Sequence, residues 1–219
     1  MLRGAIFDFD GTLFDSMFVW ENAGEVYLRS LGIEPREKLA GKINTMSLRQ
    51  SAEYIRGKYG VDLTVNEIMN GINRAVEQFY FNTVQPKPGV IDFLERLRSG
   101  GVKLCIATAS ARYQVRAALK RCSMEAFFSE IFTCDDVGHG KDEPFIFRKA
   151  LEHLNTARAD TVVFEDAYYA LKTAKADGFI TAAVYDSYEK KQEELRAAAD
   201  FFLKDYTNTD RFLKFACGK

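Results

Sequence analysis

Asp8 and Asp10 follow the apolar run Ala5-Ile6-Phe7 and precede Gly11-Thr12-Leu13. An apolar run that ends in acids and a glycine reads as a buried strand delivering side chains to the mouth of a sheet. Because strand side chains alternate, Asp8 and Asp10 point to one side while Phe9 points into packing. Two carboxylates so close repel each other. The arrangement makes chemical sense if a divalent cation sits between them, or if one of them holds a proton that a reaction needs.

Three other stretches carry residues that suit the same chemistry. Thr108-Ala109-Ser110 follows the apolar Leu104-Cys105-Ile106-Ala107 and precedes a helical pattern, offering a hydroxyl and backbone N–H groups to an anion. Gly138-His139-Gly140-Lys141-Asp142-Glu143-Pro144 is a glycine-loosened loop presenting one lysine. Glu165-Asp166 closes the apolar Val162-Val163-Phe164. Four acids, one hydroxyl and one lysine gathered at one edge suit a phosphoryl group neutralised by Mg²⁺.

The elements that must position these residues can be read from periodicity. Phe18, Val19, Ala23, Val26, Tyr27 and Leu31 recur at helical spacing ahead of Gly32, which predicts one helix over 15–31. Further helical patterns cover 47–58 and 64–81, the second opened by Thr64 and Glu67 at capping-box spacing. This block ends at Pro86-Lys87-Pro88-Gly89, whose prolines disfavour both helix and central strand and mark a return hinge. From Gly89 onward helices (90–98, 111–121, 144–154, 167–177, 189–199) alternate with apolar strands (102–107, 131–133, 161–164, 180–184 and a short edge strand, 201–203). The expected fold is α/β, a doubly wound, Rossmann-like parallel sheet covered on both faces, with an inserted all-helical domain. The expected boundaries are 1–14 with 87–219 for the sheet domain and 15–86 for the insert. In such sheets ligands bind outside the carboxyl ends of the strands, where all four chemical stretches fall.

Composition narrows the partners. Thirty basic against thirty-one acidic residues leave a net charge of -1, so no basic surface recommends nucleic acid or an anionic membrane. The first strand begins almost at Met1, no apolar stretch approaches the ~18 residues of a membrane span, and a cytoplasmic location is expected. The four cysteines lie far apart with no CxxC pair, which argues against a disulfide framework or a zinc site, and Cys105 reads as core. Neither His139 nor His153 lies near a nucleophile motif; the first reads as a loop residue and the second as a helix-face residue.

Taken together, Asp8-Phe9-Asp10-Gly11-Thr12, Thr108, Lys141 and Glu165-Asp166 resemble, in order, the four motifs of the haloacid dehalogenase superfamily. The resemblance spans essentially the whole chain and points to the branch with a helical cap inserted after the first strand, similar to β-phosphoglucomutase and sugar-phosphate phosphatases. It implies Asp8 as nucleophile and Asp10 as the acid that protonates the leaving oxygen and then activates water. It implies Mg²⁺ held by Asp8, the backbone carbonyl of Asp10, and Asp166, with Glu165 bound directly or through water. Thr108 and the amide of Ala109 would hold the phosphoryl oxygens, and Lys141 would offset charge. The chain departs from similar sequences after the acids, where Ala167 and Ala170 replace a common serine and glycine, and Tyr168 and Tyr169 replace small and polar residues.

The implied activity is a Mg²⁺-dependent phosphatase for a small phosphorylated metabolite, expected to work as a monomer. A mutase of the β-phosphoglucomutase type and a non-catalytic binding protein are the alternatives. Mutase members usually carry a histidine where this chain has Trp20, which tilts the expectation toward hydrolysis. Trp20 could stack on a substrate or pack the helical domain, and Arg49 could reach a distal phosphate or stand exposed on its helix. A dehalogenase is disfavoured by the presence of Asp10 and the metal ligands.

Overall fold

The computed structural model describes residues 1–36, 39, 43, 46 and 48–217. The chain forms two compact units, one of Met1–Asp15 with Gln85–Lys219 and the other Ser16–Val84. In chain order the strands are β1 Gly4–Phe7, β2 Phe14–Asp15, β3 Gln85–Pro86, β4 Lys103–Thr108, β5 Ile131–Thr133, β6 Thr161–Glu165, β7 Ile180–Val184 and β8 Phe201–Leu203. Among the described residues, six of them form one parallel sheet in the order β5-β4-β1-β6-β7-β8. The remaining two, β2 and β3, pair antiparallel, Phe14 with Pro86 and Asp15 with Gln85, so these residues belong with the sheet unit.

All four residues of β1 are buried, as a strand covered on both faces requires. Ile6, Cys105 and Val163 face a cluster completed by Phe147, Ala150 and Ala174 from the helices Phe145–Leu154 and Tyr168–Ala176. Their neighbours Phe7 and Phe164 point the other way and stack at 4.2 Å. There Phe93 meets Phe7 edge-on and Phe212 meets Phe164 edge-on, from the helices Val90–Ser99 and Asp210–Cys217. A doubly covered parallel sheet is thus built by strand alternation alone. The connection to β6 crosses back beside β1, so the strand order reverses at β1, and ligands of such sheets sit where that happens.

Among the described residues, the helical unit differs from the periodicity in one place. The predicted helix over 15–31 is two helices, Met17–Glu21 and Ala23–Ser30, interrupted at Asn22 with φ -113° and ψ 2°. Ser47, where the next helical pattern begins, lies outside the described residues; the helix described there is Leu48–Tyr59. The longest helix, Val65–Asn82, opens with the capping box, Thr64 accepting from the Glu67 amide while Glu67 accepts from the Thr64 amide. It buries Ile68, Ile72, Val76 and Tyr80, spaced four apart on one stripe. Gly71 lies on the same helix because a Cβ there would come within 2.2 Å of the Tyr27 ring. No helix of the described residues is long and apolar enough to cross a membrane.

Candidate active site

The site grows out of the register of three strands. Phe7 pairs with Ile106 on one side and Phe164 on the other, so the residues at or just past the ends of β1, β4 and β6 gather at one edge. The Asp8 amide donates to Phe164 O at 3.0 Å and carries the ladder one residue further. The chain then turns tightly: the Leu13 and Phe14 amides both donate to Phe9 O at 3.0 Å, and the Gly11 amide donates to Phe14 O at 2.9 Å. Gly11 has φ +78°, a left-handed conformation that a side chain would strain.

Lys141 stands at the centre. Its side chain is buried, and its ammonium donates to Asp8 Oδ1 and, at 2.7 Å, to Glu165 Oε1. Carboxylate oxygens of Asp8, Glu165 and Asp166 lie within 4.8 Å of one another, and all three residues are buried. Three acids out of water around one ammonium are short of positive charge. Burial, then the neighbouring Asp8, pushes the Glu165 carboxyl up to about 8 against the pull of Lys141. Burial, Asp8, Glu165 and Asp186 raise Asp166 as well. Lys141 is held protonated well above the ordinary lysine range, because Asp8 and Glu165 outweigh its own burial. A cluster of hard oxygen donors that resists full ionisation by itself fits a divalent cation, which would supply the missing charge.

The Asp10 carboxylate goes elsewhere. The Ser110 hydroxyl donates to Asp10 Oδ2, so the two aspartates of the first motif have different partners. Thr108 is buried at the end of β4, and its hydroxyl accepts from the Ser110 amide at 3.0 Å. Ala109 is exposed between them, ahead of the helix Arg112–Arg121. Thr12 Oγ1 donates to Asp166 Oδ1 at 3.1 Å. Neither Thr12 nor Ser110 takes a role from the sequence alone; each adjoins a motif residue, and that proximity is the available signal.

After Asp166, Ala170 packs in the core and the Tyr168 amide donates to Glu189 Oε2 at 2.8 Å, while Tyr169 is 53% exposed. The two residues proposed for the helical unit lie within it. Trp20 Nε1 donates to Tyr80 OH at 2.7 Å, and Arg49 donates to Asn66 Oδ1 at 3.2 Å. His139 stacks on Phe145 at 4.2 Å in its loop, and His153 Nε2 lies 3.0 Å from Ser129 Oγ.

Comparison with known proteins identifies the family. The family model for haloacid dehalogenase-like hydrolases matches residues 5–184. Hexitol phosphatase A of Escherichia coli is 31% identical over 186 residues, covering 83% of this chain and 82% of that protein. A phosphorylated carbohydrates phosphatase of Thermotoga maritima is 26% identical over 177 residues, covering 81% and 82%. Among solved structures, CbbY from Rhodobacter sphaeroides in complex with phosphate superposes with a TM-score of 0.84 at 23% identity, over 96% of this chain and 97% of that one. The chain belongs to the haloacid dehalogenase-like hydrolases, as an enzyme of the phosphatase type.

Proposed function

We propose that the protein is a Mg²⁺-dependent phosphatase that hydrolyses a small phosphorylated metabolite, a sugar or sugar-alcohol phosphate, through an aspartyl-phosphate on Asp8. One observation carries the reading: Asp8 shares Lys141 with Glu165 inside a buried acidic cluster, while the Asp10 carboxylate accepts from the Ser110 hydroxyl. The difference supports Asp8 as the carboxylate that attacks and Asp10 as the one that transfers the proton. The phosphatases among its relatives support the substrate class.

In the first half-reaction an Asp8 oxygen forms a bond to phosphorus as the bond from phosphorus to the leaving oxygen breaks. Asp10 gives its proton to that oxygen. In the second, Asp10 takes a proton from water as the water oxygen bonds to phosphorus and the bond to Asp8 breaks, releasing inorganic phosphate and restoring both acids. Thr108, the Ala109 amide and Lys141 hold the phosphoryl oxygens through both steps. Mg²⁺, held by Asp8, Asp166, the Asp10 carbonyl and Glu165, directly or through water, would supply positive charge against the phosphoryl group. Trp20 is assigned to packing, on the strength of its bond to Tyr80.

The test is release of inorganic phosphate from a panel of sugar, sugar-alcohol and other metabolite phosphates, with Mg²⁺ and with a chelator. Activity is expected only with Mg²⁺ and is expected to vanish in Asp8→Asn. Full activity in Asp8→Asn refutes the mechanism, and conversion of a sugar phosphate to its isomer without phosphate release redirects the reading to a mutase.

A further inference from the structure

Tyr206 lies in the loop between β8 and the helix Asp210–Cys217, and neither the motifs nor the reaction above gives it a role. Its ring packs 5.0 Å from that of Phe93, a setting in which phenylalanine would pack as well. The side chain is nonetheless a tyrosine, 3% exposed, and a buried phenol needs a partner. That partner is in the loop after β1: Tyr206 OH donates to Thr12 O at 3.2 Å.

Thr12 is itself fully buried, and its hydroxyl donates to Asp166 Oδ1 at 3.1 Å. The direction of that hydroxyl depends on where the backbone of residue 12 is held. Two contacts hold the backbone there. Tyr206 OH takes the Thr12 carbonyl, and the Lys87 amide donates to the next carbonyl, Leu13 O, at 2.9 Å. Tyr206 is in turn fixed by its own amide, which donates to Pro88 O at 3.2 Å. Gly89 lies so close that a Cβ there would come within 2.7 Å of the Tyr206 carbonyl. Residues 87–89 and 206 are thus bonded or closely packed against one another and bonded to the backbone at Thr12 and Leu13.

We infer that Tyr206 is a positioning residue for the metal cluster: through Thr12 it fixes the rotation of the Asp166 carboxylate, and so the affinity of Asp8, Glu165 and Asp166 for a divalent cation. The identity of that cation as Mg²⁺ rests on the phosphatase reading. Removing a hydrogen-bond partner of a metal ligand costs about 10- to 100-fold in metal affinity, and Tyr206 acts one bond further away.

The experiment is Mg²⁺ binding by titration calorimetry on the full chain without substrate, comparing wild type, Tyr206→Phe and Phe212→Leu. Tyr206→Phe keeps the ring and removes the hydroxyl. Phe212→Leu thins the same aromatic cluster without touching Thr12. Tyr206→Phe is expected to raise the Mg²⁺ dissociation constant about 3- to 10-fold, a little below the effect on a direct partner. Phe212→Leu is expected to lower the melting temperature and leave Mg²⁺ affinity unchanged. Thr12→Val, which deletes the direct partner of Asp166, should raise the dissociation constant further, about 10- to 100-fold, and Thr12→Ser should stay near wild type, which keeps the test available should Tyr206→Phe fold poorly. Unchanged affinity in Tyr206→Phe, equal losses in Phe212→Leu, or no difference between the two Thr12 variants overturns the inference. Wild-type protein that binds Mg²⁺ but hydrolyses no phosphate ester refutes the phosphatase reading alone, and wild-type protein that binds no Mg²⁺ refutes both.

Discussion

Lys141 Nζ donates to Glu165 Oε1 at 2.7 Å with both side chains almost completely out of water. Glu165 and Asp8 share this one ammonium, and Asp166 has carboxylate oxygens beside both. Without a bound cation the cluster is stable only to the extent that some of its acids keep a proton.

The consequence for stability has a definite sign. The Glu165 carboxyl is raised by burial and by Asp8 from the ordinary range to about 8 in the folded chain. A group so raised contributes stability that is complete below its unfolded pKa, near 4.5, and is lost as pH rises through about 8. Asp166 is shifted in the same direction. Metal-free protein should therefore lose urea resistance steadily between pH 5 and pH 8, each group contributing at most ~1.4 kcal/mol per pH unit. Excess Mg²⁺ should flatten the trend, and so should Glu165→Gln. Urea midpoints in chelator that stay level or rise over this range would contradict the assignment.

Lys141→Met removes the one ammonium that the two buried acids share. Breaking a buried pair from one side leaves an uncompensated charge and costs about 3–5 kcal/mol. Part of that loss should return on adding Mg²⁺, because the cation supplies charge at the same place. Phosphate release should fall by about two to three orders of magnitude, the scale seen when a preorganised charge partner is removed. Denaturation curves with and without Mg²⁺, alongside turnover at saturating substrate, check both halves.

Much of this site is legible in the sequence because it is local. Asp8, Thr108 and Glu165-Asp166 each sit at or just past the end of an apolar run, and strand alternation with the parallel-sheet rule is enough to bring them to one edge. What is not legible is whatever depends on a distant partner. Tyr206 and Thr12 are 194 residues apart, and no periodicity couples them. The β2–β3 pair is two residues long on each side, too short for an alternating pattern to register. The break at Asn22 is hidden for the opposite reason, since apolar spacing continues through it and a window of eleven or more residues averages it away. The helix Asp210–Cys217 did carry a signal, with Phe212, Leu213 and Ala216 on one face.

Gly89 has φ +78°, and an added Cβ would come within 2.7 Å of the carbonyl carbon and oxygen of Tyr206. The obstacle is backbone, which cannot rotate aside like the end of a side chain. Gly89→Ala should cost about 1–3 kcal/mol from the left-handed conformation, with the collision adding to it. The midpoint of chemical denaturation measures this directly, and a neutral substitution would mean that the segment shifts freely.

Ser110 offers the sharpest separation of roles. Its hydroxyl donates to Asp10 Oδ2, and its amide donates to Thr108 Oγ1. Ser110→Ala deletes the first contact and keeps the second, because the amide remains. If Asp10 transfers the proton to the leaving oxygen and back from water, its carboxylate must face the right atom in both steps, and losing the hydroxyl that aims it should slow turnover. General acid–base transfer is worth about 10²–10⁴-fold, so a misdirected but present acid should cost roughly tenfold in kcat. Substrate KM and Mg²⁺ affinity should stay within about twofold, since neither Thr108 nor the Asp8, Glu165 and Asp166 cluster is touched. Stability should fall by no more than about 1–2 kcal/mol for one lost hydrogen bond. Steady-state kinetics with Mg²⁺ held in excess gives the split, and a rise in KM at unchanged kcat would move Ser110 from aiming the acid to holding the substrate.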